Sequence, residues 1–220
     1  MARNLIHWQK RIMRFAKGVL VLCALSMTAG AYRFYGTLMN GVGSSTLSTE
    51  VVEAKTTRDD AGARTAFLAA YPVFMHPRCM NCHPVEDRPL QGDDSHPHAM
   101  LVKRGPDGRG KFAMKCGNCH QTMNLSGEHM PPGAPNWHLP PPEMRMVFEG
   151  KTPGEFCRQL KDPKQNGNKT IEQIVHHVST DPLVLWGWNP GEGRNPVSHP
   201  HHDFANKMAE WANKGAACPE

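Results

Sequence analysis

The hydrophobic and polar positions fall into one long uncharged run near the start and several short amphipathic stretches in the last third. Gly18 to Tyr32 carries no charge, and Lys10, Arg11, Arg14 and Lys17 lead into it. Basic residues ahead of a short apolar run have the form of a secretory signal, and Ala29-Gly30-Ala31 offers a small-x-small cleavage site near Ala31. Extending the run through Phe34, Tyr35, Leu38 and Met39 reaches the roughly twenty residues of a membrane span. Arg33 would then snorkel at the outer interface beside Tyr32 and Tyr35. Residues 1–40 are therefore either a cleaved signal or a single transmembrane anchor with 18–39 as its apolar span. In both cases the basic flank stays inside, and the chain beyond about residue 40 is exported, to a periplasmic location. Gly41 to Thr49 has the composition of a flexible linker, placing the boundary of a folded domain after residues 41–57.

In the C-terminal part, Thr152-Pro153 predicts an N-cap and a first-turn proline for a helix to about Lys161. Thr170 with Gln173 forms a capping-box pattern for a helix through about Val178. A last helix from about Asp203 to Lys214 carries Phe204, Met208 and Trp211 on one face, with Gly215 as its stop. Leu183 to Arg194 holds Trp186 and Trp188 among several Gly and Pro, an ordered aromatic loop that covers a core or serves as a docking surface. The expected class is mainly α with extensive loops, since 19 Pro and 20 Gly accompany an ordinary 39% hydrophobic content. Few elements bury few faces against one another, so such a domain needs further fastening.

Charge changes the picture in one respect. No acidic residue precedes Glu50, while six basic ones do; removing those six from 25 leaves 19 basic against 20 acidic residues. The formal charge of +5 belongs to the N-terminal segment, which argues against a nucleic-acid partner.

The fastening is suggested by two motifs. Cys79-Met80-Asn81-Cys82-His83 and Cys116-Gly117-Asn118-Cys119-His120 both read C-x-x-C-H. Two thiols three positions apart on one turn can add to the two vinyl groups of a haem, and the next residue then offers its imidazole to the iron. A redox dithiol or a zinc site gives no reason for His directly after each second Cys. The expectation is two covalently bound c-type haems, with Cys79, Cys82, Cys116 and Cys119 as attachment points and His83 and His120 as iron ligands. The motifs start 37 positions apart, too few for separate single-haem domains, so residues 58–220 are expected to form one compact dihaem cytochrome c domain with its haems close together.

The opposite iron faces stay open at this level. His98 and Met130 are the leading candidates for distal ligands, His96 and His129 weaker ones, and Met100 a further thioether between the motifs. His98 lies between the motifs and could serve either haem. Met130 beside Pro131-Pro132 is similar to the sixth-ligand loop of small cytochromes, though only ten residues from His120. Paired histidines give a low potential and His/Met a higher one. His76 is too near its own motif to cross that haem, and Met75, Met80, Met114 and Met123 read as apolar filler.

With the motif cysteines and Cys23 of the N-terminal apolar run set aside, Cys157 and Cys218 remain as an even pair, which in an oxidising compartment suggests a disulfide from the first C-terminal helix to the chain's end. His176-His177 and His199-Pro200-His201-His202 read as solvated helix ends more than as a metal site. No Ser/His/Asp order, phosphate loop or paired-carboxylate constellation points to an enzyme.

Several segments together resemble a bacterial family of exported c-type cytochromes often described as isoquinoline 1-oxidoreductase subunits. They are Arg78-Cys79-Met80-Asn81-Cys82-His83-Pro84, Pro89-Leu90-Gln91-Gly92-Asp93-Asp94, Pro131-Pro132-Gly133-Ala134-Pro135-Asn136-Trp137, Leu160-Lys161-Asp162-Pro163 and Trp186-Gly187-Trp188-Asn189-Pro190-Gly191, within residues 65–219. The resemblance implies a haem protein serving a periplasmic dehydrogenase. The chain has no molybdopterin or iron–sulfur fingerprint of its own, so substrate oxidation is not carried over. The placing of His between two C-x-x-C-H motifs is also similar, in spacing only, to the dihaem small subunit of periplasmic nitrate reductase. The expected function is electron transfer as a redox subunit or carrier, partnered by a dehydrogenase or membrane complex. The alternatives are a haem enzyme with an open iron face, peroxidase-like or nitrogen-oxide reducing, and a relay subunit of a membrane assembly.

Overall fold

The computed structural model describes residues 58–220; the signal or anchor over residues 1–40 and the linker over 41–57 lie outside the described residues. Helices take 42% of the described residues, and the four strands have two residues each, so the domain is mainly helical with long connections. No described helix is long and apolar enough to cross a membrane.

The longest described helix, α1 (Asp60–Phe74), starts at Asp59, whose Oδ1 accepts from the Gly62 N–H at 2.8 Å. Ala63, Ala66, Phe67, Ala70, Val73 and Phe74 are buried, a stripe at helical spacing in which the alanines allow close packing. That stripe meets the last helix, α7 (His201–Asn213), through its buried Phe204, Met208 and Trp211. Phe67 and Trp211 lie 5.2 Å apart between ring centroids, and Phe74 and Phe204 5.1 Å. The Trp211 indole is fully buried and donates to the Ala217 carbonyl at 3.1 Å, which folds the C-terminal tail back over α7. Gly215, at φ +98°, makes the reversal in the left-handed region.

A one-turn helix, α2 (Pro77–Met80), follows α1. Two small antiparallel ladders come next: β1 (Leu90–Gln91) with β2 (His96–Pro97), and β3 (Gly110–Lys111) with β4 (Met114–Lys115). The C-terminal helices follow their capping signals closely. α3 (Pro153–Lys161) has a capping box: Glu155 N–H donates to Thr152 Oγ1 at 3.3 Å, and Thr152 N–H to Glu155 Oε2 at 2.9 Å. α4 (Pro163–Asn166) and α6 (Pro182–Leu185) are single turns capped by Asp162 and Asp181. Between them α5 (Ile171–Thr180) has the reciprocal Thr170–Gln173 box and runs two residues beyond the sequence expectation. α7 begins at His201, two residues earlier than expected.

One apolar core gathers these elements. Phe156 of α3 lies 4.7 Å from both Phe74 and Phe148, and Ile174 and Val178 of α5 join the same cluster. Cys157 and Cys218 form a disulfide with their Cα atoms 5.5 Å apart, tying α3 to the tail. A methyl group on Gly154 would sit 2.6 Å from the Glu220 carbonyl oxygen, so the tail passes α3 only because that residue lacks a side chain. Removing the α3 cap in Thr152→Ala is expected to cost about 1 kcal/mol. Chemical denaturation would read this as a lower midpoint with an unchanged slope.

Candidate haem-attachment site

α2 exists because its ends are fixed. Pro77 occupies the first helical position, and His76 caps the turn by accepting the Arg78 N–H at 3.2 Å through Nδ1. Cys79 N–H then donates to His76 O at 2.9 Å, Cys82 N–H to Cys79 O at 3.2 Å and His83 N–H to Met80 O at 2.8 Å. The result is one tight turn carrying Cys79 and Cys82 and delivering His83 at its exit. The second motif is built differently to the same end. The β3–β4 hairpin feeds a 3₁₀ turn over Cys116–Asn118, where Cys119 N–H donates to Cys116 O at 3.1 Å and His120 N–H to the same carbonyl at 2.9 Å.

The two histidines share one arrangement. His83 Nδ1 lies 2.7 Å from the Met146 carbonyl, and its ring stacks on Phe148 with centroids 3.8 Å apart and planes 1° from parallel. His120 Nδ1 lies 2.8 Å from the Pro132 carbonyl, and its ring stacks on Trp137 at 4.5 Å and 5°. A carbonyl can only accept, so Nδ1 carries the proton in each ring and Nε2 keeps its lone pair. Burial pushes His83 down to about 3, and His120 is lowered by the same cause, so both imidazoles are neutral at neutral pH. A neutral ring whose far nitrogen is held by a carbonyl is the form in which histidine binds a metal.

The four motif cysteines are free thiols, in contrast to the paired Cys157 and Cys218. Burial pushes Cys79 up to about 12 and Cys82 up to about 11. A redox dithiol works through a thiolate of lowered pKa, so the first motif has the wrong electrostatics for one. Nor does any group of three or more His, Cys, Asp and Glu suited to a metal ion occur among the described residues.

Two buried arginines flank the first motif. Arg78 pairs with Asp93, and Arg104, fully buried, donates to the Pro140 carbonyl at 2.5 Å and to the Glu86 carbonyl at 3.2 Å. The Nε of each is buried without a hydrogen-bond partner among the described residues. Both charges reach Cys82, whose thiol also senses Cys116, so the two motifs lie within electrostatic range of one another. An aromatic bridge links them as well. The Arg78 guanidinium lies 5.9 Å from the Trp186 ring centre, Trp186 meets Trp137 edge-on at 5.0 Å, and Trp137 underlies His120. Asn124 steadies this bridge, its Oδ1 accepting from Trp186 Nε1 and from Gly133 N–H, both at 3.0 Å.

The candidate distal ligands are dispersed. His98 approaches His120, with ring centroids 6.2 Å apart and planes at 68°. His96 is turned to Asp94, 2.6 Å from its Oδ1, and His129 packs against Gly193. Met130 and Met100 are both exposed, and the Met130 carbonyl accepts from Arg194. Of the C-terminal histidines, His201 is bonded to the Val178 carbonyl at 3.0 Å and packs on Trp188. His177 differs: it projects from α5 with Nδ1 3.3 Å from Asp181, and its charge is among those holding His83 down.

Trp137, Phe148 and the carbonyls of Met146 and Pro132 are site groups that sequence reasoning missed. The Pro131-Pro132 pair was a signal for the last, drawing attention to Met130 while the carbonyl of Pro132 makes the contact. Comparison with family models, curated proteins and solved structures finds no significant match, so the functional reading rests on the geometry of the chain itself.

Proposed function

We propose that residues 58–220 form a dihaem c-type cytochrome that transfers electrons on the exported side of a membrane. The observation that carries this reading is the repeated device at the two motifs. Each C-x-x-C-H turn ends on a histidine whose Nδ1 is spent on a carbonyl, whose ring rests on a parallel aromatic, and whose Nε2 is left with its lone pair. On this reading Cys79 and Cys82 hold one haem and Cys116 and Cys119 the other, with His83 and His120 as axial ligands. The haems, when bound, supply one-electron exchange at iron.

The surroundings fit such groups. Among the described residues, seven of the ten exposed large hydrophobic side chains fall between Met100 and Met130, around the second motif; Phe112 is 92% exposed and Leu101 73%. An apolar macrocycle on Cys116 and Cys119 would give that surface a partner. Beside His120, a cavity of about 430 Å³ is lined by Arg109, Lys115 and Asp107 as well as Trp137. Lys115 Nζ is paired with Asp107 at 3.9 Å, which leaves Arg109 as the side chain offering net positive charge to a carboxylate at a haem edge. At the first motif Arg78 and Arg104 are paired with Asp93 and Asp87, the latter at 3.7 Å from Arg104 Nε, and each keeps a buried Nε without a hydrogen bond among the described residues.

The export patterns of the N-terminal segment and the Cys157–Cys218 disulfide support a periplasmic location, with the chain a carrier or redox subunit for a dehydrogenase or membrane complex. Expression with a cytochrome c maturation system tests the reading. The denatured chain is expected to weigh two haems more than its polypeptide and to show a haem c spectrum in alkaline pyridine. A matured chain without covalent haem would refute it.

A further inference from the structure

We infer that His98 is the second axial ligand of the haem held by Cys116 and Cys119, so that two imidazoles close this iron. The inference rests on the dihaem reading and assigns the iron face opposite His120. Imidazoles on opposite sides of one metal are separated by two metal–nitrogen bonds of about 2 Å each, plus the half-widths of the rings. The observed 6.2 Å between centroids is close to that span.

Edge-on aromatic pairs also occupy about 4.5–7 Å, so the separation does not stand alone. The hydrogen bonds distinguish the two cases. His98 Nδ1 lies 3.1 Å from the Met100 carbonyl, as His120 Nδ1 lies 2.8 Å from that of Pro132. Both rings therefore carry the proton on Nδ1, and no hydrogen bond among the described residues uses either Nε2. Two adjacent neutral imidazoles, each with an unspent lone pair and its other nitrogen tethered, make a pair of ligands rather than a packing contact.

His98 is also pre-positioned. Its N–H donates to the Pro89 carbonyl at 2.9 Å, and its own carbonyl accepts from Arg88 Nε at 2.8 Å. Pro97, just before it, is paired with Leu90 in the β1–β2 ladder. The ring is thus carried by a braced strand end, at little entropic cost on ligation.

The rival side chains are placed less well. Two residues after Met130, Pro132 supports the Nδ1 edge of His120, so this loop runs behind the ring, away from Nε2. The Met100 backbone lies behind His98 in the same sense. His96 is committed to Asp94.

The test uses the matured full chain. Carbon monoxide uptake by the reduced protein and near-infrared magnetic circular dichroism of the oxidised protein both read axial ligation. In His98→Ala, one of the two irons is expected to open, adding one equivalent of carbon monoxide per chain, and added imidazole is expected to reverse the change. In His98→Met, six-coordination is expected to persist with a new methionine-to-iron band and a raised potential for that haem. Either variant carrying both haems with wild-type uptake and spectrum overturns the assignment. If His98→Ala does not mature, the Met variant decides by the same band. A wild-type chain without covalent haem would instead defeat the dihaem reading, a separate result visible by mass.

Discussion

Replacing the second attachment pair, Cys116→Ala with Cys119→Ala, is expected to leave a folded domain carrying one haem, whereas Cys79→Ala with Cys82→Ala is expected to give a markedly less stable domain. The two motifs differ in what surrounds them. The first is built into the core: Arg78 and Asn81 are buried, Asn81 Nδ2 donates to the Gly92 carbonyl at 2.9 Å, and His83 rests on Phe148 of the central aromatic cluster. The second is peripheral. Cys116 is buried, but Gly117, Asn118 and Cys119 are exposed, and a side chain added at Gly117 would meet nothing within 4 Å. Losing a large apolar group from the first position leaves a core cavity, costing on the order of 4 kcal/mol. Against a total stability of about 5–15 kcal/mol, that removes a large share of the margin without by itself unfolding the chain. Soluble yield, far-ultraviolet circular dichroism and covalent haem per chain measure the outcome. Equal behaviour of the two double variants would show that the first motif does not organise the core.

This asymmetry also explains what the sequence could and could not convey. The two C-x-x-C-H motifs were legible because their residues are contiguous in sequence, and the boxes at Thr152–Glu155 and Thr170–Gln173 were legible because capping is local. α1, the longest of the described helices, has no such local signal: three of the six residues in its buried stripe are alanine, which contrasts weakly with polar neighbours. The partners of the site histidines were hidden for another reason. Met146 lies 63 positions from His83, and Trp186 lies 62 from Asn124, so only the folded chain brings them together. Nothing in the run Ile171–Thr180 separates His177 from His176. The helix does so, setting His177 against Asp181 and within the electrostatic reach of His83, while the His176 ring stays beside Thr180.

The bridge between the motifs follows from the same long-range packing. Trp186 and Trp188 were open to two readings, cover or docking surface, and the structure gives them different neighbours. Trp188 packs on Phe204 and His201 at the margin of the core. Trp186 lies between Arg78 and Trp137, and so joins the segment beside Cys79 to the ring under His120. The two motifs are thus joined by a chain of packed side chains, Arg78, Trp186, Trp137 and His120.

Opening the Cys157–Cys218 disulfide is expected to lower stability by about 4 kcal/mol, the loop-closure value for a bridge spanning 61 positions. For a domain of this size, that is a fall in melting temperature on the order of 10 °C. The bridge is placed where it matters to the first C-x-x-C-H motif. Cys157 is fully buried beside Phe156, Phe156 packs on Phe148 at 4.7 Å, and Phe148 carries the His83 ring. The tail it anchors also supplies the Ala217 carbonyl to Trp211 and passes too close to Gly154 for any side chain there. Cys157→Ala with Cys218→Ala should therefore destabilise the matured protein while leaving its haem content unchanged, because the four attachment cysteines take no part in the bridge. Peptide mapping without reductant is expected to recover the Cys157 and Cys218 peptides linked. Identical melting curves for wild type with and without reductant would show that the bridge contributes nothing, and the tail would then be held by Trp211 and its apolar neighbours alone.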